Sequence, residues 1–542
     1  MTRLRLVLAA AVIAALGGTL VAPAAASAGN GPPGWSDCGN GFQCATVPAP
    51  LDYDHPRGAQ IALSLIRLPA SDPAHRIGSL LINPGGPGGS GVDFVRAAGP
   101  YYPASVRARF DLVGFDPRGI YRSSPLLCFD SLEQAMASLP PFPFPQTPAE
   151  EQQQRAADGR LAAACASHGG AIRDHMSSAD AARDLDLLRR VLGDRKLTYL
   201  GYSYGSLLGQ TYANLFPHNF RALVIDGVVD PVAWSTGRGT QALTTPVGTR
   251  IGSADGARAT LGEFFRLCDA AGSGCAFSGG ASRRFAALAG RLLDHPAQVV
   301  NPATGQTITF TYNDLIGLTL GDLYRASTWA DLASILAYLE GQVSPAVLGE
   351  KLAANRARFG LTAAYYANDV EGSPGVTCSD TLNPRSFGAW QRSADRNESR
   401  YGYFGRVWNW TWSSCRVWPA GAGQDRYLGP WTTRTAAPVL VVGNYFDPAT
   451  RYQGAVTASQ LLPNSRLLSY AGWGHAAYLL AGNVCVNDNV STYLVTGEPP
   501  AAGTVCRPEG SPFDASSAAD AVAVSATGVV LPAAVRQALH AN

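Results

Sequence analysis

Short apolar runs alternate with helix-length amphipathic stretches through the first 230 residues, fade, and resume near position 438. Residues 61–68 alternate in the manner of a strand, while 79–82 and 110–115 are compact apolar runs of the kind buried on both faces. Residues 178–192 read as a helix: Ala181, Leu185, Leu188 and Leu192 share one stripe, and Ser177 with Asp180 forms a start signal. A strand over 196–200 follows, then a helix over 206–216 that Pro217 stops, then a strand over 222–225. Two further strands, 438–442 and 465–470, are separated by a helix-length gap. This rhythm predicts an α/β fold built on a mostly parallel sheet with helices on both faces.

Between 231 and 430 the rhythm changes. Helical stretches such as 260–268 and 331–340 occur without regular strands between them, and Trp and Tyr concentrate over 401–418. The last two strands need the earlier sheet to pair with, so this region is predicted to be a mainly helical cap inserted into one sheet domain, not an independent downstream unit. The expected organisation is a core in two parts, 29–230 and 431–510, interrupted by the cap at 231–430. An Ala-, Ser- and Val-rich tail occupies 511–542.

Residues 1–28 add a compartment to this picture. Arg3 and Arg5 precede an apolar run, and Ala26-Ser27-Ala28 follows it with small residues, the form of a cleaved secretory signal. Gly17, Gly18, Thr19 and Pro23 interrupt the run, and no later stretch is expected to cross or anchor in a membrane. The ten cysteines of an exported chain are most simply read as disulfides. Neighbours along the chain suggest Cys38–Cys44, Cys128–Cys165, Cys268–Cys275, Cys378–Cys415 and Cys485–Cys506, with other connectivities open at this level. No C-x-x-C spacing and no His/Cys cluster points to a metal, so no cofactor is expected. A formal charge of +2 without a basic run gives no support to a nucleic-acid partner.

The candidate chemistry begins at Gly201-Tyr202-Ser203-Tyr204-Gly205, a G-x-S-x-G sequence lying where a strand meets a helix. Such a turn presents a serine at its apex, and the flanking glycines let its two arms approach. A serine hydroxyl needs an adjacent base, usually an imidazole held by a carboxylate. Asp447 follows the 438–442 strand and His475 follows the 465–470 strand, so both belong to loops at the edge of the sheet where Ser203 lies. Of the eight histidines only His475 and His540 come after Asp447, and His540 is in the tail. Asp226 and Asp230, after the 222–225 strand, are alternative acids. An oxyanion needs preorganised N–H donors. The residue after the nucleophile, Tyr204, supplies one, and the glycine-rich loop Asn83-Pro84-Gly85-Gly86-Pro87-Gly88-Gly89-Ser90-Gly91 supplies another, with Gly86 the expected donor.

Taken together, Gly85-Gly86-Pro87-Gly88, Phe115-Asp116-Pro117-Arg118-Gly119, Gly201–Gly205, Asp447 and Gly474-His475 resemble the prolyl-aminopeptidase group of α/β-hydrolase peptidases. The 83–91 loop, Ala182-Arg183-Asp184-Leu185-Asp186 and the serine turn are more similar still to its secreted actinobacterial tripeptidyl aminopeptidase subgroup. The resemblance spans roughly Cys44 to Cys506. It implies an α/β-hydrolase fold, a serine exopeptidase acting through an acyl-enzyme, and peptide substrates with a free N-terminus. One departure is Pro84, which stands where prolyl aminopeptidases carry His, so preference for proline does not carry over. An aminopeptidase also needs a carboxylate for the substrate ammonium, and Glu371 and Asp380 in the cap are candidates by position. Asp116 and Arg118 read as a buried ion pair bracing the active edge. The same triad also serves carboxylesterases and lipases, which is the competing activity.

Overall fold

A computed structural model describes residues 31–300, 307–341 and 367–514. The expected signal at 1–28, and the tail beyond Asp514, lie outside these residues. In chain order the strands are β1 (Ser36–Asp37), β2 (Gln43–Pro50), β3 (Gln60–Leu68), β4 (Gly78–Asn83), β5 (Phe110–Phe115), β6 (Leu197–Tyr202), β7 (Phe220–Asp226), β8 (Ala297–Val300), β9 (Thr307–Phe310), β10 (Val439–Phe446), β11 (Ser465–Trp473) and β12 (Val505–Cys506). Ten of them form one sheet in the order β1-β2-β3-β5-β4-β6-β7-β10-β11-β12. From β5 through β12 every neighbouring pair is parallel, while β1 to β3 form an antiparallel flank that pairs with β5.

The central strands are apolar throughout because both faces are covered. Leu80, Ile82, Leu200, Val224 and Val442 point into one layer, and Leu81, Tyr199, Ile225 and Val441 into the other. The helix Ser178–Val191 packs its Ala181, Leu185 and Leu188 stripe on the second layer. Its start is built as the sequence indicates, with the Ser177 side chain accepting the Asp180 N–H at 3.1 Å. The serine strand runs two residues past its expected end, and the next helix begins at Tyr204 instead of 206. Ser203 takes φ +56° itself, so the chain reverses within one residue and no connecting loop is needed.

Between β7 and β10 the chain is mainly helical, including Ser253–Ala271, Trp329–Leu339, Asp369–Asp380, Phe387–Tyr401 and Gly405–Trp410. The two-stranded β8–β9 ribbon in this region was not legible in the sequence pattern. These helices share an apolar cluster around Phe264, Phe285, Trp329 and Trp408, which continues into the core through Tyr204 and Leu207. All five cysteine pairs are bonded as suggested by chain neighbourhood. Cys128–Cys165 and Cys378–Cys415 each span 37 residues, a loop length for which cross-linking contributes roughly 3–4 kcal/mol. No helix among the described residues is long and apolar enough to cross a membrane.

The expected Asp116–Arg118 pair is a correction. Arg118 forms a two-pronged ion pair with Asp184, at 2.7 and 2.6 Å, from the helix Ser178–Val191. Its other N–H groups donate to the carbonyls of Pro50, Leu51 and His175, and Tyr53 donates to Asp184 at 2.7 Å. Both charged groups are buried. Asp116 instead accepts from Ser90, Val92 and Arg122, tying the glycine-rich loop to the strand beneath it. The two side chains leave the same turn in opposite directions, which adjacency in sequence does not reveal.

Candidate active site

Five loops meet at the C-terminal ends of β4, β6, β7, β10 and β11, and each brings one part of the expected constellation. Ser203 stands at the turn between β6 and the helix Tyr204–Leu215. Its strained backbone is held by a hydrogen bond from its N–H to the Asp226 carbonyl at 2.8 Å and by one from Ser206 to its own carbonyl at 2.8 Å. The close approach needs small neighbours: a Cβ on Gly201 would lie 2.2 Å from the Gly205 carbonyl oxygen.

His475 Nδ1 lies 3.0 and 2.9 Å from the two carboxylate oxygens of Asp447, and both residues are buried. Asp447 also accepts the N–H groups of Ala449 and Thr450 and the Thr450 hydroxyl, so its charge is fixed and oriented. A carboxylate at Nδ1 holds the proton there and leaves Nε2 as the basic nitrogen. His475 is further positioned by Tyr324, whose carbonyl accepts the His475 backbone N–H at 2.8 Å and whose ring meets the imidazole edge-on at 5.0 Å. The ring's hydrogen-bond partners are Asp447 and Thr450, and Ser203 is not among them. Such links tighten on substrate binding in many serine enzymes.

Of the alternative acids, Asp230 caps the helix Pro231–Ser235 and pairs with Arg238. Asp226 accepts the backbone N–H groups of Ala477 and Tyr478 and does not touch the imidazole. Burial drives the Asp226 carboxyl up to about 7, against the pull of those two amides.

Gly86 and Tyr204, the expected oxyanion donors, line one small cavity with Ser203. Its volume is about 30 Å³, room for about two waters. Cap residues Trp234, Trp408 and Trp412 form an apolar wall, and Thr450 joins the cavity to the acid–base pair. Trp234 packs edge-on to Trp412 at 5.3 Å and lies 5.9 Å from the Tyr204 ring. The glycine-rich loop abuts the helix Asp369–Asp380 directly, since a Cβ on Gly88 would lie 3.3 Å from the Ser373 amide nitrogen. A larger cavity of about 370 Å³ lies on the other side of Gly474 and Ala476, but it includes neither Ser203 nor either proposed oxyanion donor. The expected nucleophile and oxyanion donors thus share the smaller one.

Glu371 and Asp380, the expected amine ligands, are buried and do not line the serine cavity. Asp380 is buried and accepts both the N–H and the O–H of Ser178, at 2.7 and 2.6 Å. Ser178 in turn meets the Tyr204 hydroxyl at 2.7 Å, so this carboxylate braces the residue after the nucleophile. Burial lifts Asp380 to about 6. Glu371 is buried against the N–H of Cys128. Both side chains reach out of the 231–430 region to residues of the first core segment, Cys128 and Ser178. The residues missed by sequence reading are Tyr324, Thr450 and the tryptophan wall, of which only the Trp concentration over 401–418 gave a signal.

A family described as TAP-like protein matches residues 400–506, and one described as alpha/beta hydrolase fold matches 78–262. A tripeptidyl aminopeptidase of Streptomyces coelicolor is 31% identical over 92% of this chain and 90% of its own length. Serine protease Hip1 of Mycobacterium tuberculosis is 30% identical over 86% of this chain and 87% of its own. A carboxylesterase B of the same organism is 31% identical, covering 86% of each.

Proposed function

The chain belongs to the TAP-like family of α/β hydrolases that includes the tripeptidyl aminopeptidases, and from that premise we propose that it is a secreted serine exopeptidase releasing short peptides, tripeptides foremost, from free N-termini. Ser203 attacks the scissile carbonyl. His475 takes its proton and returns it to the leaving amine, while Asp447 holds the imidazole and stabilises its charge. The Gly86 and Tyr204 amides receive the oxyanion, and water then hydrolyses the acyl-enzyme. The observation that carries this reading is the His475–Asp447 pair, 2.9 Å apart, beside a serine turn whose cavity is roofed by the cap. A roof admits chain ends and excludes the middle of a polypeptide. Export is supported by the five disulfides and by the form of residues 1–28.

An esterase is the second reading, favoured by the uncharged, tryptophan-walled cavity and by the relative named carboxylesterase B. Rates on tripeptide p-nitroanilides with free and acetylated N-termini, set against p-nitrophenyl esters of increasing acyl length, separate the two. Free-amine anilides should be turned over best. Equal use of acetylated peptides, or preference for long acyl esters, sinks the exopeptidase.

A further inference from the structure

One residue touches the backbone of both the nucleophile turn and the histidine loop. Asp226 ends β7, between the serine strand β6 and the acid strand β10. Its main-chain carbonyl accepts the Ser203 N–H at 2.8 Å. Its side chain reaches the other way: Oδ2 accepts the N–H of Ala477 at 2.9 Å and of Tyr478 at 2.7 Å, and Oδ1 lies 3.1 Å from the Ala477 nitrogen. Those amides come two and three residues after His475, just past Ala476, a non-glycine residue held at φ +63°. The neighbouring Gly227 packs under the imidazole, where a Cβ would lie 3.2 Å from His475 Cε1.

We propose that Asp226 is a positioning residue that couples the serine turn to the histidine loop, seating the imidazole for Ser203 when its carboxylate is ionised. The inference rests on Ser203 and His475 being the nucleophile and base. An ionised carboxylate offers only acceptors, which suits a site made of N–H donors. Protonation puts a hydrogen on one oxygen and turns it against those amides. The titratable groups facing Asp226 are Asp447 and His475 from the loops after β10 and β11, and the Tyr202 hydroxyl from β6. Asp447 adds its negative charge to the effect of burial, and together they lift Asp226 to about 7 against the amides and His475. The grip on the histidine loop is therefore complete above about 7 and is lost as pH falls through it.

The test is the second-order rate of fluorophosphonate labelling of the full chain as a function of pH, which needs no knowledge of the natural substrate. In the wild type, loss of the Asp226 carboxylate should add to the single titration of a triad base and steepen the acid limb, giving a maximal logarithmic slope well above 1 in the region of Asp226 titration at about 7. Asp226→Asn should lower the alkaline plateau at least about tenfold by displacing the loop, and reduce the maximal slope to about 1 as only one titrating group is left. Thermal unfolding of the same samples restricts the comparison to folded protein. A wild-type slope of about 1 overturns the coupling without any variant being made, and so does a folded Asp226→Asn protein that labels like the wild type. If Ser203→Ala still labels, the parent assignment falls and this one with it. If Ser203→Ala is inert and the slope is still single, only the coupling falls.

Discussion

A methyl group on Gly85 would lie 2.7 Å from the Cβ of Ser203 and 2.4 Å from the Tyr202 carbonyl oxygen. The oxyanion loop and the serine turn are thus packed backbone to backbone, with Gly85 at φ +93° in the contact. Gly85→Ala should separate them, cutting fluorophosphonate labelling about 100-fold or more, the scale of one lost oxyanion donor. Gly159→Ala, in an open helical position with no atom within 4 Å of the new carbon, should leave labelling unchanged and raise stability by about 0.5–1 kcal/mol. Equal effects of the two would contradict the packing argument.

Asp447→Asn keeps the shape of the acid but presents an amide to His475 Nδ1, and the same amide must still meet Ala449, Thr450 and Ala476. Turnover should fall by about 10⁴ through the wrong imidazole tautomer. The thermal midpoint should move far less than the rate. A loss under tenfold would point to another acid.

The Trp412 ring closes a cavity of about 30 Å³ beside Ser203. Wild-type enzyme should therefore favour small apolar residues on the acyl side of the cut bond. Trp412→Ala should shift the ratio of kcat/KM for Phe over Ala at that position upward by at least about tenfold, at a stability cost of about 3–5 kcal/mol. An unchanged ratio in folded variant would mean that the acyl residue lodges elsewhere.

Arg118 and Asp184 are both buried and bonded through two N–H groups. Asp184→Ala leaves a guanidinium inside the protein without its counter-charge and should cost about 3–5 kcal/mol. The double change Arg118→Met, Asp184→Leu should cost less than the single one, since replacing both charges removes the desolvation penalty. Denaturant midpoints, or inactivation half-lives if unfolding is irreversible, decide between additivity and compensation.

Asp158 is buried against Gln154 and Ser413, and burial lifts its carboxyl to about 6. The folded protein then holds a proton that the unfolded chain releases near its ordinary value of about 4. With the folded value above the unfolded one, this acid weakens the fold as pH rises through that window, and the loss is complete above about 6. Asp158→Asn should be close to wild type in stability near pH 3.5 and gain on it steadily, by about 2–3 kcal/mol near pH 7.5 for a carboxyl raised from about 4 to about 6. A gain in the opposite direction would mean that Asp158 is ionised and paired.

Much of the site could be read from the chain because its parts are local. Ser203 is announced by a five-residue turn, and Asp447 and His475 each follow a strand that is apolar in its own right. Gly86 and Tyr204 follow from their places relative to a strand end and to the nucleophile. The failures share one cause, which is partnership across distance. Asp184 lies 66 residues from Arg118, and Asp380 lies 202 from Ser178. No spacing rule ties such residues together, so nearer or better-placed candidates were named instead. The Asp226 carboxylate was legible only as a rival acid, because its partners are backbone amides, which carry no side-chain signature.

β10 and β11 take their places in the sheet only after the whole cap has been made. A polypeptide translated as far as residue 430 carries the serine turn and the glycine-rich loop but neither Asp447 nor His475. Any piece of the chain that ends before β10 therefore lacks the expected acid and base. Ser203 gains these two neighbours only from the closing strands that complete the sheet.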